Sequence, residues 1–180
     1  MVTKRRAVQL TLLGEDTERP PIIPKAVPFV KWAGGKRRLL DTIMSIATRT
    51  FERYLEPFVG GGAIALALGH HTMLLNDANT ELMNAYRMVS SHLDGLLSLL
   101  DEHRKRHSEE YFYAIRVQNS TTLEPVEQAA RFIYLNKTCF NGLYRMNKDG
   151  EFNVPSSNAI LNNSFGKMTN VYWHLSTTNL

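Results

Sequence analysis

A glycine-rich stretch at residues 56–62, Glu-Pro-Phe-Val-Gly-Gly-Gly, has the residue types of a ligand-binding turn between a strand and a helix. Consecutive glycines let a ligand lie against bare backbone, because a Cβ would block that approach and because such turns often need a positive φ. Asp77 stands 17 residues beyond Gly60, near the roughly 20-residue spacing at which an acid holds ribose hydroxyls in nucleotide-binding units. The pair indicates a nucleoside site. The alternative is that Asp77 caps the helix predicted to begin near Thr80.

A second segment upstream, Lys-Trp-Ala-Gly-Gly-Lys at residues 31–36, adds a cation and an indole. Lys36 could lie beside a carboxylate, and Trp32 beside an adenine or a sulfonium. A desolvated cation is attracted to a tryptophan face by about 1–2 kcal/mol. The segment is not a phosphate loop, because the Gly-x-x-x-x-Gly-Lys-Ser/Thr spacing is absent. The alternative is that Trp32 anchors the core and Lys36 is an ordinary surface lysine.

A third segment, residues 136–153, combines aromatic, cationic and amide side chains. The ring of Phe140 or Tyr144 could stack on a base or wedge between base steps. Arg145 could read guanine through paired hydrogen bonds. Asn141 could contact a base edge, and Lys137 or Lys148 a phosphate. The alternative is a surface hairpin whose aromatic side chains pack on the preceding helix.

Hydrophobic periodicity predicts the elements that would position these residues. Helices are predicted over residues 38–47, 63–68, 80–100 with a break near 94–95, 111–117 and 124–136. Short strands are predicted at 53–56 and 73–77, and a loop or hairpin at 137–155. The order of strand, glycine loop, helix, strand and acidic end is typical of the start of an α/β sheet. In such sheets ligands bind beyond the carboxyl ends of the strands.

Composition narrows the class of protein. A net charge of +4 and a pI of about 9.3 permit a polyanionic partner, although a solvated surface of mixed charge fits these values equally well. The single cysteine, Cys139, excludes an internal disulfide and a cysteine-based zinc cluster. It fits a reducing, cytoplasmic location. No apolar run approaches the roughly 18 residues of a membrane span, so no membrane partner is expected.

Together these motifs resemble Dam-type, D12 class DNA adenine-N6 methyltransferases. The resemblance covers about residues 28 to 155, and its order and spacing agree throughout. Its most specific motif, at residues 134–155, is Tyr-Leu-Asn-x-x-x-Phe-Asn-Gly-Leu-Tyr-Arg-x-Asn-x-x-Gly-Glu-Phe-Asn-Val-Pro. The resemblance implies an α/β fold with a Rossmann-like methyltransferase sheet and a helical DNA-recognition insertion. It also implies transfer of a methyl group from S-adenosyl-L-methionine to N6 of adenine in duplex DNA, often within a GATC site.

The resemblance also implies roles for individual residues. The positions that match the family's cofactor-binding motifs are Trp32, Lys36, Glu56, Pro57, Phe58, Gly60 and Asp77. Among them, Asp77 would hold the ribose hydroxyls and the others would contact the cofactor or line its pocket. The positions in the DNA-recognition motif are Lys137, Phe140, Asn141 and Arg145. No metal site is implied.

The chain departs from the family pattern after Pro155. The family's catalytic Asp-Pro-Pro-Tyr follows the recognition motif, and these 180 residues contain no such tetrapeptide. The expected organisation is therefore a flexible leader at 1–27, a cofactor-binding part at 28–90, a helical DNA-recognition region at 91–155 and a divergent tail at 156–180. We expect a truncated or frame-disrupted member in which the later strands of the sheet are missing.

Two functions remain open from the sequence. The first is adenine-specific DNA methylation, with little or no turnover expected from this chain alone because Asp-Pro-Pro-Tyr would position the attacking amino group. The second is a DNA- or cofactor-binding module without catalysis. Binding of DNA without methylation would favour the second.

Overall fold

The computed structural model describes residues 26–48, 50–69, 72–157, 168–169, 171–172 and 175. Within these residues the fold is mixed α/β, mostly helical, with a small parallel two-stranded sheet. The α/β class predicted from the sequence is confirmed at this level. Residues 1–25 of the predicted leader and most of the predicted tail lie outside the described residues.

The sheet pairs β1 (Tyr54–Glu56) with β2 (Met73–Leu75) in parallel register, and α2 (Ala63–Leu68) forms the crossover. Both strands fall within the predicted segments, and α2 has the predicted bounds. Side chains alternate across the sheet because successive residues of a strand point to opposite faces. Glu56 and Leu75 are buried on the inner face, whereas Leu55 and Leu74 are more than half exposed on the outer one.

The helices outside the crossover are α1 (Leu40–Ile46), α3 (Thr80–Ser91), α4 (Leu93–Lys105), α5 (Glu109–Arg116) and α6 (Pro125–Thr138). A 3-10 turn, Lys36–Leu39, leads into α1. The break predicted near 94–95 in the helical stretch 80–100 is present but lies at His92, whose non-helical dihedral angles separate α3 from α4. α5 starts two residues earlier than predicted because the side chain of Ser108 caps its first turn.

Helix α6 is the centre of the helical part. Glu124 and Glu127 form a capping box at its start, and Pro125 occupies the first turn, where its missing N–H costs nothing. Every residue from 129 to 136 is buried, because α6 packs against α3, α4 and α5. Met168, Val171 and Leu175, beyond the recognition motif, are buried in the same core.

Candidate functional site

A cleft of about 1170 Å³ lies beside the segments that follow β1 and β2. Its walls come from parts of the chain that are distant in sequence: residues within 28–38, residues 58–63, Asp77, Lys137 and Asn141. We refer to this space as the cleft. It joins the first two predicted motifs with two residues of the third, so all three meet at one place.

The triple-glycine turn forms the floor of the cleft. Gly60 has φ +51°, and a Cβ on it would lie 2.8 Å from Cδ1 of Trp32. Gly62 has φ +72°, and a Cβ there would lie 2.5 Å from the hydroxyl of Tyr86. That hydroxyl is buried and donates to the carbonyl oxygen of Gly60 at 3.0 Å. Glycine is required at both positions by backbone conformation and by space.

Asp77 is held at the edge of this turn. Its Oδ2 accepts from the backbone N–H of Gly60 at 3.0 Å, and its Oδ1 accepts from that of Asn79 at 3.0 Å. The cap of α3 is Asn79, whose side chain accepts from the N–H of Leu82 at 2.8 Å. Helix capping therefore does not explain Asp77. A carboxylate has about four acceptor positions, so Asp77 retains capacity for two ligand hydroxyls.

Lys36 reaches across the cleft wall to the end of β1. Its Nζ donates to Oε1 of Glu56 at 3.1 Å and to the carbonyl oxygen of Phe58 at 2.9 Å. An ammonium has three N–H donors, so one remains for an anionic ligand group. Glu56 is buried and outside the cleft lining, and Pro57 is exposed and also outside it. Phe58 lines the cleft with 73% of its surface exposed.

The predicted loop or hairpin is a short hairpin, which we call the hairpin segment (residues 140–155). Its two ends meet where the N–H of Phe140 donates to the carbonyl oxygen of Pro155 at 2.9 Å. Met146 and Phe152 form an antiparallel bridge nearer the tip. The N–H of Asn147 donates to the carbonyl oxygen of Glu151 at 2.9 Å and closes the turn.

The predicted DNA-binding residues divide between the cleft and the exposed surface. Lys137, on the last turn of α6, and Asn141 line the cleft. Phe140 is 53% exposed, and Arg145 is exposed with its Nε bonded to Oδ1 of Asn153 at 2.9 Å. Tyr144, the other aromatic candidate, is half-buried with its ring against Trp32. An exposed base-stacking position is therefore offered by Phe140 and not by Tyr144.

Asn136 is a site residue that the sequence did not single out. Its fully buried amide donates to the carbonyl oxygens of Lys31 and Gly142, and its Oδ1 accepts from the N–H of Lys31 at 2.9 Å. A Cβ on Gly142, which has φ +65°, would lie 2.3 Å from Cδ of Lys31. Asn136 thus fastens the tryptophan–lysine loop to the base of the hairpin segment. In the sequence, Asn136 appeared only as a position of the motif at residues 134–155 and as an amide among apolar neighbours, with no role of its own.

The cleft carries an excess of positive charge. Its basic lining residues are Lys31, Lys36, Arg37, Arg38 and Lys137, against the single acid Asp77. Lys36 is compensated by Glu56. Arg37 and Arg38 are exposed and form no ion pair with another residue of the described part of the chain. In the sequence, the basic run next to Gly34 and Gly35 is the signal that could have identified these two arginines as candidate ligand-binding residues.

The described residues give less support to a thiol nucleophile, a metal site or a membrane-spanning helix. Burial raises the pKa of the Cys139 thiol to about 11, so the thiol is not a nucleophile at neutral pH. Among the described residues, no group of three or more His, Cys, Asp or Glu side chains is arranged to hold a metal ion. Nor does any helix in the described ranges have the length and apolar character of a membrane span.

Comparison with known proteins gives a family match over most of the chain. Residues 32–176 match the D12 class N6 adenine-specific DNA methyltransferase family. The chain is 39% identical over 132 residues to Type II methyltransferase M1.LlaDCHI of Lactococcus lactis subsp. cremoris, covering 71% of the chain and 46% of that protein. It is 40% identical over 147 residues to Type II methyltransferase M.MjaIII of Methanocaldococcus jannaschii, covering 71% of the chain and 51% of that protein.

A third similar protein is the DNA adenine methylase of Haemophilus influenzae, 39% identical over 134 residues, with 71% of the chain and 46% of that protein covered. The chain therefore spans about half the length of these relatives.

Proposed function

The chain belongs to the D12 class N6 adenine-specific DNA methyltransferase family, and from this premise we propose that the cleft binds S-adenosyl-L-methionine and the hairpin segment recognises duplex DNA. The activity is transfer of the methyl group to N6 of adenine. One observation carries the proposal: Trp32, the triple-glycine turn and Asp77 line the same cleft as Lys137 and Asn141 of the recognition motif. A cofactor and a DNA base could therefore meet there.

The side chains of the cleft fit the proposed cofactor. Asp77 has acceptor capacity for the two ribose hydroxyls, and Lys36 has a free donor for the carboxylate of the methionine part. The exposed ring of Phe58 offers an apolar surface to adenine, and the indole of Trp32, which lines the cleft, offers an aromatic surface to a cation. When bound, the cofactor supplies an electrophilic methyl group on a sulfonium.

Of the remaining predicted cofactor residues, Glu56 and Pro57 lie outside the cleft lining and Gly60 belongs to the floor of the cleft. Glu56 fixes the ammonium of Lys36, and Gly60 lets Trp32 and Asp77 approach the turn from two sides. Pro57 shapes the segment between them. These residues bind and orient the cofactor without taking part in proton transfer.

DNA would approach the cleft from the side of the hairpin segment. Phe140 is placed to stack on a base, and Asn141 and Arg145 to read base edges, within GATC or a related site. Phosphate contacts are assigned to basic residues around the cleft mouth: Lys31, Arg37, Arg38 and Lys137. The surplus of positive charge around the cleft favours a polyanionic ligand. A cofactor that carries a sulfonium does not neutralise this charge.

In this proposal the described chain has two parts. Residues 28–90 form the cofactor-binding part, and the pair β1 and β2 belongs to a Rossmann-like methyltransferase sheet. Residues 91–155 form the helical DNA-recognition region. The crossover α2 between parallel strands and the glycine turn after β1 support this assignment.

Calorimetric titration with S-adenosyl-L-methionine tests the cofactor half of the proposal. We expect one site per chain and competition by S-adenosylhomocysteine. The DNA half is tested by gel shift, in which a GATC duplex should bind more tightly than a scrambled duplex at the same salt concentration. A folded chain that binds neither ligand would overturn the proposal.

A second candidate is binding of the cofactor and DNA without catalysis. A methylation assay with tritiated cofactor and a GATC duplex distinguishes the methyltransferase from the binding module. Methyl incorporation into DNA supports the methyltransferase. Binding of both ligands without incorporation supports the binding module.

A further inference from the structure

Trp32 packs against the glycine turn and against an aromatic ring of the hairpin segment. Its Cδ1 lies 2.8 Å from the position that a Cβ on Gly60 would take. The ring of Tyr144 stacks on one face of the indole, with centroids 5.8 Å apart and planes at 21°. Phe132 tilts against both rings, 6.2 Å from Trp32 and 4.9 Å from Tyr144. The position of the indole therefore depends on where Tyr144 stands.

The hydroxyl of Tyr144 is fixed by a buried carboxylate. It donates to Oε2 of Glu81, a residue of α3 that is 5% exposed. Burial, and next the charge of Glu81, raise the pKa of Tyr144 well above its usual range, so the hydroxyl remains protonated and remains a donor. The rings of Phe132 and Phe152, the latter 5.5 Å away, leave the phenol little freedom to turn.

Glu81 is held in turn by α6. Nη1 of Arg131, which is 4% exposed, lies 3.9 Å from Oε1 of Glu81. The same guanidinium donates to the carbonyl oxygens of Ile115 and Arg116 at the end of α5, at 3.1 and 2.9 Å. A buried carboxylate is tolerated only when it is paired and hydrogen-bonded. Arg131 supplies the ion pair and Tyr144 the hydrogen bond, so the carboxylate that positions Tyr144 is itself fixed to the helical core.

Neither Tyr144 nor Glu81 lines the cleft, whereas Trp32 does. Building on the proposed function, we propose that the Glu81–Tyr144 pair consists of positioning residues that hold the indole of Trp32 for the sulfonium of the cofactor. Through Tyr144 the hairpin segment that reads DNA also sets the geometry of the cofactor pocket. This role differs from base stacking, which falls to Phe140.

Two cofactor forms that differ in charge separate this role from a purely structural one. S-adenosyl-L-methionine carries a sulfonium, and S-adenosylhomocysteine has a neutral thioether in its place. An interaction between a ring face and a cation acts on the first and not on the second. A variant that merely loosens the fold weakens both ligands alike. The ratio of their dissociation constants therefore reports the position of Trp32.

The test uses Tyr144→Phe, which keeps the ring and removes the bond to Glu81, and Glu81→Gln, which keeps the shape and removes the charge. Both are made in a Trp173→Phe background, so that the fluorescence of Trp32 is observed alone. We expect the affinity for S-adenosyl-L-methionine to fall about fivefold in each variant, with less than a twofold change for S-adenosylhomocysteine. The emission maximum of unliganded Trp32 should shift in both.

Tyr113→Phe is the matched control, because Tyr113 is a partly exposed tyrosine on α5 that lies outside the cleft. It should leave both affinities and the emission of Trp32 unchanged. Equal losses for the two ligands in Tyr144→Phe, or no loss for either, would overturn the positioning role while leaving cofactor binding intact. If Tyr144→Phe failed to fold, the ligand ratio in Glu81→Gln would decide. No binding by the unaltered chain would instead overturn the proposed function, and this inference with it.

Discussion

The cleft and helix α4 contain the same three kinds of residue in different surroundings. Each has a glycine, a run of three basic residues and an aspartate. In the cleft these are Gly62, residues 36–38 and Asp77. In α4 and its C-cap they are Gly95, residues 104–106 and Asp101. The two regions therefore show what local environment adds to residue type.

The glycines differ in conformation and in space. Gly62 has φ +72° and the hydroxyl of Tyr86 where a Cβ would lie. Gly95 is helical, and the atom nearest to its Cβ position is Cγ2 of Val126, at an ordinary 3.8 Å. Only the first glycine is required by the fold.

The charges differ in their partners. On α4, Arg104 and Lys105 both bind Asp101, at 2.5 and 2.7 Å, and Arg106 lies over the ring of Tyr111. In the cleft, Arg37 and Arg38 have no ion-pair partner within the described ranges, and Asp77 accepts only from backbone N–H groups. Paired charges stabilise a surface, whereas unpaired ones at a cleft are available to a ligand.

The largest contrast is expected between the glycines. Gly62→Ala should lower the free energy of unfolding by about 3 kcal/mol, because a left-handed non-glycine residue costs roughly 1–2 kcal/mol and the buried bond from Tyr86 to Gly60 is disturbed at roughly 1–3 kcal/mol. Gly95→Ala should raise it by up to about 1 kcal/mol, because alanine favours the helix. Urea unfolding of both variants measures this. Similar changes in the free energy of unfolding of the two variants would show that the fold does not require glycine at position 62 more than at position 95.

The aspartates give the next contrast. Asp77→Ala should weaken S-adenosyl-L-methionine binding by about 1–3 kcal/mol, the scale of lost buried hydrogen bonds to a charged group. Asp101→Ala should leave that affinity unchanged, because its carboxylate binds basic residues of its own helix. Calorimetric titration of both variants with S-adenosyl-L-methionine measures these affinities. Unchanged affinity in Asp77→Ala would show that Asp77 only braces the glycine turn.

The basic runs are compared through salt dependence. Each phosphate contact contributes about 0.9 to the slope of log K against log salt for duplex DNA. The double variant Arg37→Ala/Arg38→Ala should therefore reduce that slope by about 2, and its DNA affinity at low salt should fall roughly tenfold. The control, Arg104→Ala/Lys105→Ala, removes the same charge from α4 and should leave the slope nearly unchanged. Equal reductions would mean that only net charge matters.

Sequence patterns predicted the local parts of this comparison well. The apolar run between Gly62 and Gly69 predicted the bounds of α2, and the spacing of Asp77 from the triple glycine predicted its place beside the turn. The bounds of α2 depend on residues close in sequence, where backbone sterics and helix periodicity decide. The place of Asp77 follows from the parallel pairing of β1 and β2, which brings the carboxyl ends of both strands to one edge. Whether Asp77 and the other predicted site residues bind the proposed ligands stays a prediction.

Sequence patterns did not predict the contacts between residues that are far apart in the chain. Asn136 bonds to Lys31 across 105 positions, and Tyr144 to Glu81 across 63. Phe140 and Tyr144 are both aromatic and four residues apart, yet one is exposed and the other half-buried against the indole. Positive φ values at residues 141 and 142 turn the chain between them. Only packing of the whole chain selects which ring turns inward.

Helix α4 also contains one residue, His103, whose pKa is set by its surroundings. His103 is half-buried, accepts or donates a hydrogen bond at Nδ1 with the hydroxyl of Tyr111 at 2.8 Å, and stacks on Tyr134 with centroids 4.8 Å apart. Burial, and next the charge of Arg106, lower the pKa of His103 to about 4. His107 bonds to Tyr134 from the other side.

This predicts the smallest effect, a dependence of stability on pH. Because the pKa of His103 is lower folded than unfolded, where histidine titrates near 6.5, the unfolded chain binds more protons between about pH 6.5 and pH 4. Stability due to neutral His103 is therefore full above pH 6.5 and is lost on acidification. With allowance for partial exposure, the loss should be about 1 kcal/mol at pH 5. His103→Phe keeps the stacked ring and should remove this component, so that urea unfolding of the two proteins converges as the pH falls from 7.5 to 5. Parallel stability curves would mean that His103 binds protons equally in the folded and unfolded chains, and its burial would then have no effect on stability.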